Sequence, residues 1–205
     1  MQLTSTSISP HERFPAKFAM GKPDGGGHAT FSDNISPNLS WSDAPTDTKS
    51  FAITIVDYDV PLTDDDVNVD GKSLPPELPR GPFFHWTLID IPANVTELAE
   101  GLHAQGVVVG GKPGPEAAEG TRHGINNYTQ FFEGDADLEG EYFGYDGPFP
   151  PWNDEVVHNY VFTIYALDVE RLPIEGPFDG PTALEVIEDH VIGSGSFIAS
   201  YSVNQ

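Results

Sequence analysis

Cysteine is absent from the 205 residues. Its absence excludes disulfide frameworks, thiol nucleophiles and thiolate-bound metals. Cations are scarce. Nine Lys and Arg stand against 32 Asp and Glu, a formal net charge of -23. A chain this negative repels nucleic acid and anionic lipid unless it gathers its cations in one place. Here they are scattered singly along the sequence, so no nucleic-acid partner is expected. Long apolar runs are lacking too. Nothing approaches the ~20 apolar residues of a spanning helix, and Met1 to Pro15 is polar, with no apolar core of a secretory signal. The expectation is a cytoplasmic protein without a transmembrane segment.

What is present argues for a folded chain. Hydrophobic residues make up 38% and aromatics 11%, while charged residues of both signs reach only 20%. A disordered acidic chain would carry fewer aromatics. The length suits one domain, 1–205, large enough to bury a core without staples. Lysine is rare, and an acidic coat suits a salt-rich cytoplasm, where the Debye length falls to roughly 3 Å at 1 M and self-repulsion is screened. The expected source is halophilic.

Nineteen prolines and 21 glycines are spread throughout, so regular elements must be short. Three runs rich in β-branched and aromatic residues read as buried strands: Ser50 to Val56, Phe83 to Ile89 and Asn159 to Leu167. Gly195 to Val203 reads as a fourth. Leu184, Ile187 and Val191 share a helical face, with Thr182 placed to cap and Glu185 three residues on. A second helical turn is expected near Thr96-Glu97-Leu98-Ala99. Many short strands with a few short peripheral helices predict a mainly β fold, a β-sandwich. The Gly-rich, acidic stretch 107–141 is long for a structureless loop, and an acidic insertion is read at about 126–143.

Chemistry gathers at three places. Asp57-Tyr58-Asp59-Val60-Pro61 follows a strand, and two acids there are costly unless they accept hydrogen bonds or face a site. His85-Trp86 lies inside an apolar strand. Gly144-Tyr145-Asp146-Gly147-Pro148-Phe149-Pro150-Pro151 precedes His158-Asn159-Tyr160. In this order the segments resemble the phosphatidylethanolamine-binding protein family, in particular its bacterial and archaeal branch. Upstream, Ser36-Pro37-Asn38-Leu39-Ser40-Trp41 with Ala44-Pro45 and Thr48-Lys49-Ser50-Phe51-Ala52 looks like the family's approach to its first motif. Downstream, the likeness runs through Phe162 to Leu167 and from Gly193 to Tyr201.

The resemblance implies a sandwich of two antiparallel sheets with one small anion-binding pocket at a sheet end. Carried over by position, it implies ligand-binding roles for Asp57, His85, Gly147, Pro148, His158 and Tyr160. Asp59, Pro61 and Trp86 would support the pocket. Two histidines, a tyrosine hydroxyl and glycine amides could hold a phosphoryl or carboxylate group. Three positions depart from the pattern: Tyr58 stands for a proline, Asn159 for an arginine and Phe149 for a frequent cysteine. Relatives in eukaryotes bind lipid head groups or inhibit kinases and proteases. The implied function is therefore a binder of a small anionic or phosphorylated ligand, with a protein partner such as a kinase or protease, no cofactor, and a homodimer as a further expectation.

Each residue also has a plainer reading. A histidine in an apolar strand is commonly a hydrogen-bonded core residue, Asp57 can cap backbone amides of the turn at Pro61, and Tyr160 can simply pack. Asp66, Asn68, Asp70 and Glu77 match the spacing of a calcium loop. Pro75, Pro76 and Pro79 forbid the helix that should follow, which favours a solvated acidic loop. Two further functions stay open: a small-ester hydrolase using Asp57, His85 and His158, and an interaction protein with a vestigial pocket. Against the hydrolase, no Gly-x-Ser-x-Gly elbow is present.

Overall fold

A computed structural model describes residues 1–63 and 65–204. The three β-rich runs become its central strands. Strand β5 (Ser50–Pro61) lies between β6 (Arg80–Pro92) and β9 (His158–Leu167), and β9 pairs onward with β10 (Val191–Tyr201). The short β8 (Arg122–His123) completes a five-stranded antiparallel sheet in the order β10-β9-β5-β6-β8. A smaller antiparallel sheet joins β1 (Gln2–Thr4), β4 (Leu39–Ser42) and β7 (Glu97–Leu98) in the order β1-β4-β7. A two-stranded ribbon, β2 (Gly21–Pro23) with β3 (Ala29–Phe31), is a third sheet beyond the two expected.

The central strand explains why its sequence reads as an unbroken apolar run. Phe51, Ile53 and Ile55 face the small sheet, in a core with Leu3, Leu39, Trp41, Phe162 and Ile164. Ala52 faces the other way, packing with Ile89 and Leu167 against Ala183 and Ile187 of helix α2 (Gly180–His190). A strand covered on both faces has no polar side to present.

The helix is placed as expected but not bounded as expected. Its cap is Asp179, whose Oδ1 accepts the Thr182 backbone N–H at 2.9 Å. Thr182 lies inside the first turn instead, and Val191 belongs to β10. The stretch Thr96-Glu97-Leu98-Ala99 is not helical: Glu97 and Leu98 form β7, where backbone pairing with Ser40 and Leu39 wins over a local helical turn. The long stretch 107–141 is not structureless either. It holds β8 and the single-turn helix α1 (Tyr128–Phe131). Among the described residues, no helix is long and apolar enough to cross a membrane.

The cap assignment has a direct test. Asp179→Ala should cost about 1 kcal/mol in urea unfolding, while Thr182→Ala should be near neutral. The reverse order would return the cap to Thr182.

Candidate functional site

Two irregularities in the central strands build the site. Between β5 and β6, Ile55 pairs with Trp86 and Val56 with Phe84, so His85 is the extra residue of a β-bulge. The bulge turns His85 onto the same face as its neighbour Trp86, which strict alternation would forbid. Further on, Asp57 pairs with Phe83 while Val60 pairs with Gly81, which bows out Tyr58 and Asp59. Asp57 Oδ1 closes this bow by accepting the Asp59 N–H at 2.7 Å. That is the capping role expected of Asp57, directed at Asp59 rather than at the proline turn.

At this end of the sheet four charges alternate in a row. Asp57 Oδ2 lies 2.6 Å from His158 Nδ1, and His158 Nε2 lies 3.0 Å from Asp154 Oδ2. Arg80 closes the row with both terminal nitrogens on Asp154, at 2.8 and 2.9 Å. Carboxylates only accept, so both ring nitrogens of His158 carry protons and the ring is an imidazolium. Burial alone would lower its pKa, but the hydrogen bonds it donates to Asp154 and Asp57 outweigh that and raise it to about 9. Burial would likewise raise Asp154, yet His158 and Arg80 hold it down to about 2.

His85 is held differently. Its Nδ1 faces the Asp146 carbonyl at 2.9 Å, so Nδ1 carries a proton and donates it. Burial lowers its pKa, with Asp57 pulling the other way. The resting ring is therefore neutral, and its Nε2 is a buried acceptor without a protein partner. The rings of Phe83, Tyr160 and Tyr128 surround it, with centroids at 4.8, 5.1 and 5.6 Å. The Tyr160 hydroxyl is also buried without a directed hydrogen bond. Burial and the nearby Asp57 carboxylate push its pKa well up, so it keeps its proton.

These side chains border a cavity of about 380 Å³, at the small end of the ~300–1,000 Å³ range of ligand pockets. Asp57, His85, His158 and Tyr160 all line it, and so does Pro61. The rest of the wall is largely apolar: Val60, Leu62, Val67, Pro82, Phe83, Phe131, Phe149, Pro150 and Pro151. Helix α1 supplies Tyr128, Gln130 and Phe131, so part of the acidic stretch forms one side of the pocket. Asn127 ties that helix to the bulge, accepting the Phe84 N–H on Oδ1 and donating its own N–H to the Phe84 carbonyl.

Other expected site residues stand behind the wall. The Gly147 N–H is already given to Asn34 Oδ1 at 2.9 Å, and the Gly147 carbonyl accepts the Tyr128 hydroxyl at 2.8 Å. No glycine amide is left for a ligand here. The position needs glycine for room, since a Cβ would meet the Phe18 carbonyl oxygen at 2.0 Å. Pro148 serves through its carbonyl, which accepts from Met20 and Gly21. Trp86 is in the main core and donates to His123 Nδ1 at 3.1 Å. Asp59 binds the backbone and side chain of Asn159 at 2.8 and 3.0 Å. Asn159 is exposed and points away from the cavity, so an arginine there would not enter it. Phe149 lines the cavity and packs edge-on to Phe31.

The calcium-loop residues do not converge. Asp66 pairs with Lys72, Asp70 with His28, and Asn68 with Asn153 and Trp152. Among the described residues, no group of three or more metal-ligating side chains forms.

Sequence reasoning missed Arg80, Asp154 and Tyr128 in the site, and a second buried cluster that holds its loop. Asp146 is fully buried and accepts Lys112 Nζ at 2.8 Å, Asn34 Nδ2 at 2.7 Å and Asn126 Nδ2 at 2.8 Å. Burial lowers the Lys112 pKa, opposed by Asp146. An acid four residues ahead of His158, and three aromatics clustered at 128–132, were the available signals.

A family model described as phosphatidylethanolamine-binding protein matches residues 4–202. The YbhB protein of Escherichia coli is 28% identical over 98% of this chain and 100% of its own length. A Chlamydia muridarum protein is 31% identical over 98% of both. Among solved structures, that of Escherichia coli YbcL, titled a new member of the mammalian PEBP family, superposes with a TM-score of 0.68 at 25% identity, covering 98% and 97% of the two chains. A homologue from Chlamydia trachomatis gives 0.62 at 27% identity, covering 98% of this chain and 96% of its own. The chain belongs to the phosphatidylethanolamine-binding protein family.

The clamp on His158 carries two predictions. Removing one partner of a buried ion pair costs about 3–5 kcal/mol, so Asp154→Ala should lose that much in urea unfolding; a loss below about 1 kcal/mol would contradict the clamp. Because the folded pKa of His158 lies above its ordinary 6.5, its stabilisation is complete below about pH 6.5 and drains away as pH rises through about 9. Melting temperature should fall from about pH 7 to about pH 10, less steeply in Asp154→Asn. A flat profile would rule out a doubly held imidazolium.

Proposed function

We propose that this chain is a binding protein for a small acidic ligand, whose carboxylate or phosphoryl group sits at the cavity floor against His85 and Tyr160. One observation carries the reading. His85 Nε2 is buried without a protein partner, the Tyr160 hydroxyl is buried beside the Asp57 carboxylate with no directed hydrogen bond, and both residues border the same cavity. Buried polar atoms are almost always satisfied, so two under-satisfied atoms at one pocket support a place for a ligand. The anion holders expected from the sequence shift accordingly. Asp57, His158, Asp154 and Arg80 pair with one another in a row of offsetting charges and set the floor, and Gly147 and Pro148 shape the loop behind it.

The hydrolase alternative draws little support from this geometry. His158 is protonated with both nitrogens engaged, so it has no lone pair to act as a base. Regulation of a partner kinase or protease belongs to the same proposal, with the exposed Leu62 and Phe131 of the cavity wall as the surface a partner would meet. A pull-down that survives loss of the pocket would separate that role from ligand binding.

Isothermal titration with acetate, phosphate and phosphoethanolamine tests the pocket. Replacing a buried partner of the ligand should weaken binding about ten- to hundredfold, in both His85→Ala and Tyr160→Phe. Equal affinity in all three proteins would overturn the proposal. The acidic coat is read as fitting a salt-rich cytoplasm. Melting temperature should therefore rise between low and molar KCl, and an unchanged or falling value would count against that origin.

A further inference from the structure

Resting on the pocket reading above, the geometry points to a finer rule: the cavity takes up its anion together with a proton that comes to rest on His85 Nε2, and it prefers monoanions carrying an apolar body.

The cavity floor holds no cation that is free for a ligand. His158 is held between Asp57 and Asp154, and Arg80 binds Asp154 with both terminal nitrogens and, though its Nε is unpartnered, does not line the cavity. These four charges sum to zero. What remains is one hydroxyl donor, Tyr160, and one ring nitrogen, His85 Nε2. With Nδ1 donating to the Asp146 carbonyl and burial disfavouring a second proton, Nε2 in the resting ring is a lone pair. A bare anion would meet that lone pair head-on. With a proton at Nε2 the same contact becomes a charge-assisted hydrogen bond. The balance is simple: anion plus proton plus neutral ring gives imidazolium and anion side by side, or equally the acid enters whole and passes its proton to Nε2.

The groups facing His85 set how readily this happens. Asp57 on β5 and Asp146 on the loop favour a proton on the ring, and His158 on β9 opposes it. Tyr160 on β9 and Tyr128 on α1 present neutral rings, with Phe83 on the other side. Burial keeps the empty site neutral, and an added negative charge at contact tips the ring to its charged form. The aromatic rings then favour the cation. A dianion brings a second charge towards Asp57 with no cation left to meet it. The apolar walls at Leu62, Phe131 and Phe149 suit the body of an organic acid.

Titration calorimetry with benzoate and with inorganic phosphate, each over a pH series and in two buffers of different ionisation heat, tests the rule. Benzoate affinity should fall about tenfold per pH unit while the resting ring is neutral, and the buffer comparison should show a single proton taken up per anion. Phosphate should bind more weakly than benzoate at about pH 7.5, where it is largely a dianion. His85→Asn keeps an amide N–H for the Asp146 carbonyl and removes the titrating nitrogen, so any residual binding should lose its pH slope. Benzoate binding with no slope and no proton uptake would overturn the coupling and leave the binding function standing. Tighter phosphate than benzoate would overturn the ligand preference. No binding of either probe at any pH would overturn both readings. Should His85→Asn fail to fold, the wild-type proton count decides alone.

Discussion

The imidazolium of His158, gripped by Asp57 on one side and Asp154 on the other, is the interaction on which the site depends. Arg80 completes the row by binding Asp154 with two nitrogens. Any one of these charges alone would be too costly to bury, whereas alternating signs at hydrogen-bond distance offset the desolvation. The row joins three pieces of chain that are far apart in sequence: the end of β5, the start of β6, and the loop leading into β9. Because its two negative and two positive charges offset one another, it gives the cavity a floor that is polar yet electrically neutral.

A neutral floor changes what the pocket can recognise. Buried His85 borders the cavity, and burial disfavours a charge on its ring, which is set among aromatic rings. Its orientation comes from elsewhere: the Asp146 carbonyl fixes Nδ1, and the buried Asp146 carboxylate is held by Lys112, Asn34 and Asn126. Asp57 and Asp146 therefore divide the labour. Asp57 builds the floor, and Asp146 holds the loop that aims the unpartnered Nε2 of His85. The departures from the family pattern matter less than their chemistry suggests. Asn159 and Tyr58 are exposed, and neither lines the cavity. Phe149 does, adding apolar wall.

Much of the strand framework was legible in the sequence because burial leaves a mark there. The runs beginning at Ser50, Phe83 and Asn159 carry no polar face, and such runs are central strands. Asp57, His85, His158 and Tyr160 were legible as a group only through their order along the chain, which matches a family. Their individual roles were not. His158 looked like a ligand-binding histidine, but Asp154 lies only four residues ahead and Arg80 arrives from another strand to complete its neutralisation. Gly147 looked like an amide donor, and Asn34, 113 residues away, takes that amide. Thr96 to Ala99 looked helical because local pattern cannot register the partner strand that claims it.

The sequence by itself determined the mainly β class, the strands that had to be buried, and an acidic, cysteine-free composition. These follow from composition and from alternation, which are local properties. Only the tertiary structure decided which polar atoms are spent and which are free. A one-residue bulge in β6 turned His85 onto the face of Trp86, and contacts between residues more than a hundred positions apart consumed His158 and Gly147. Hydrogen-bond satisfaction is a property of neighbours in space, and a single chain read in order does not list them.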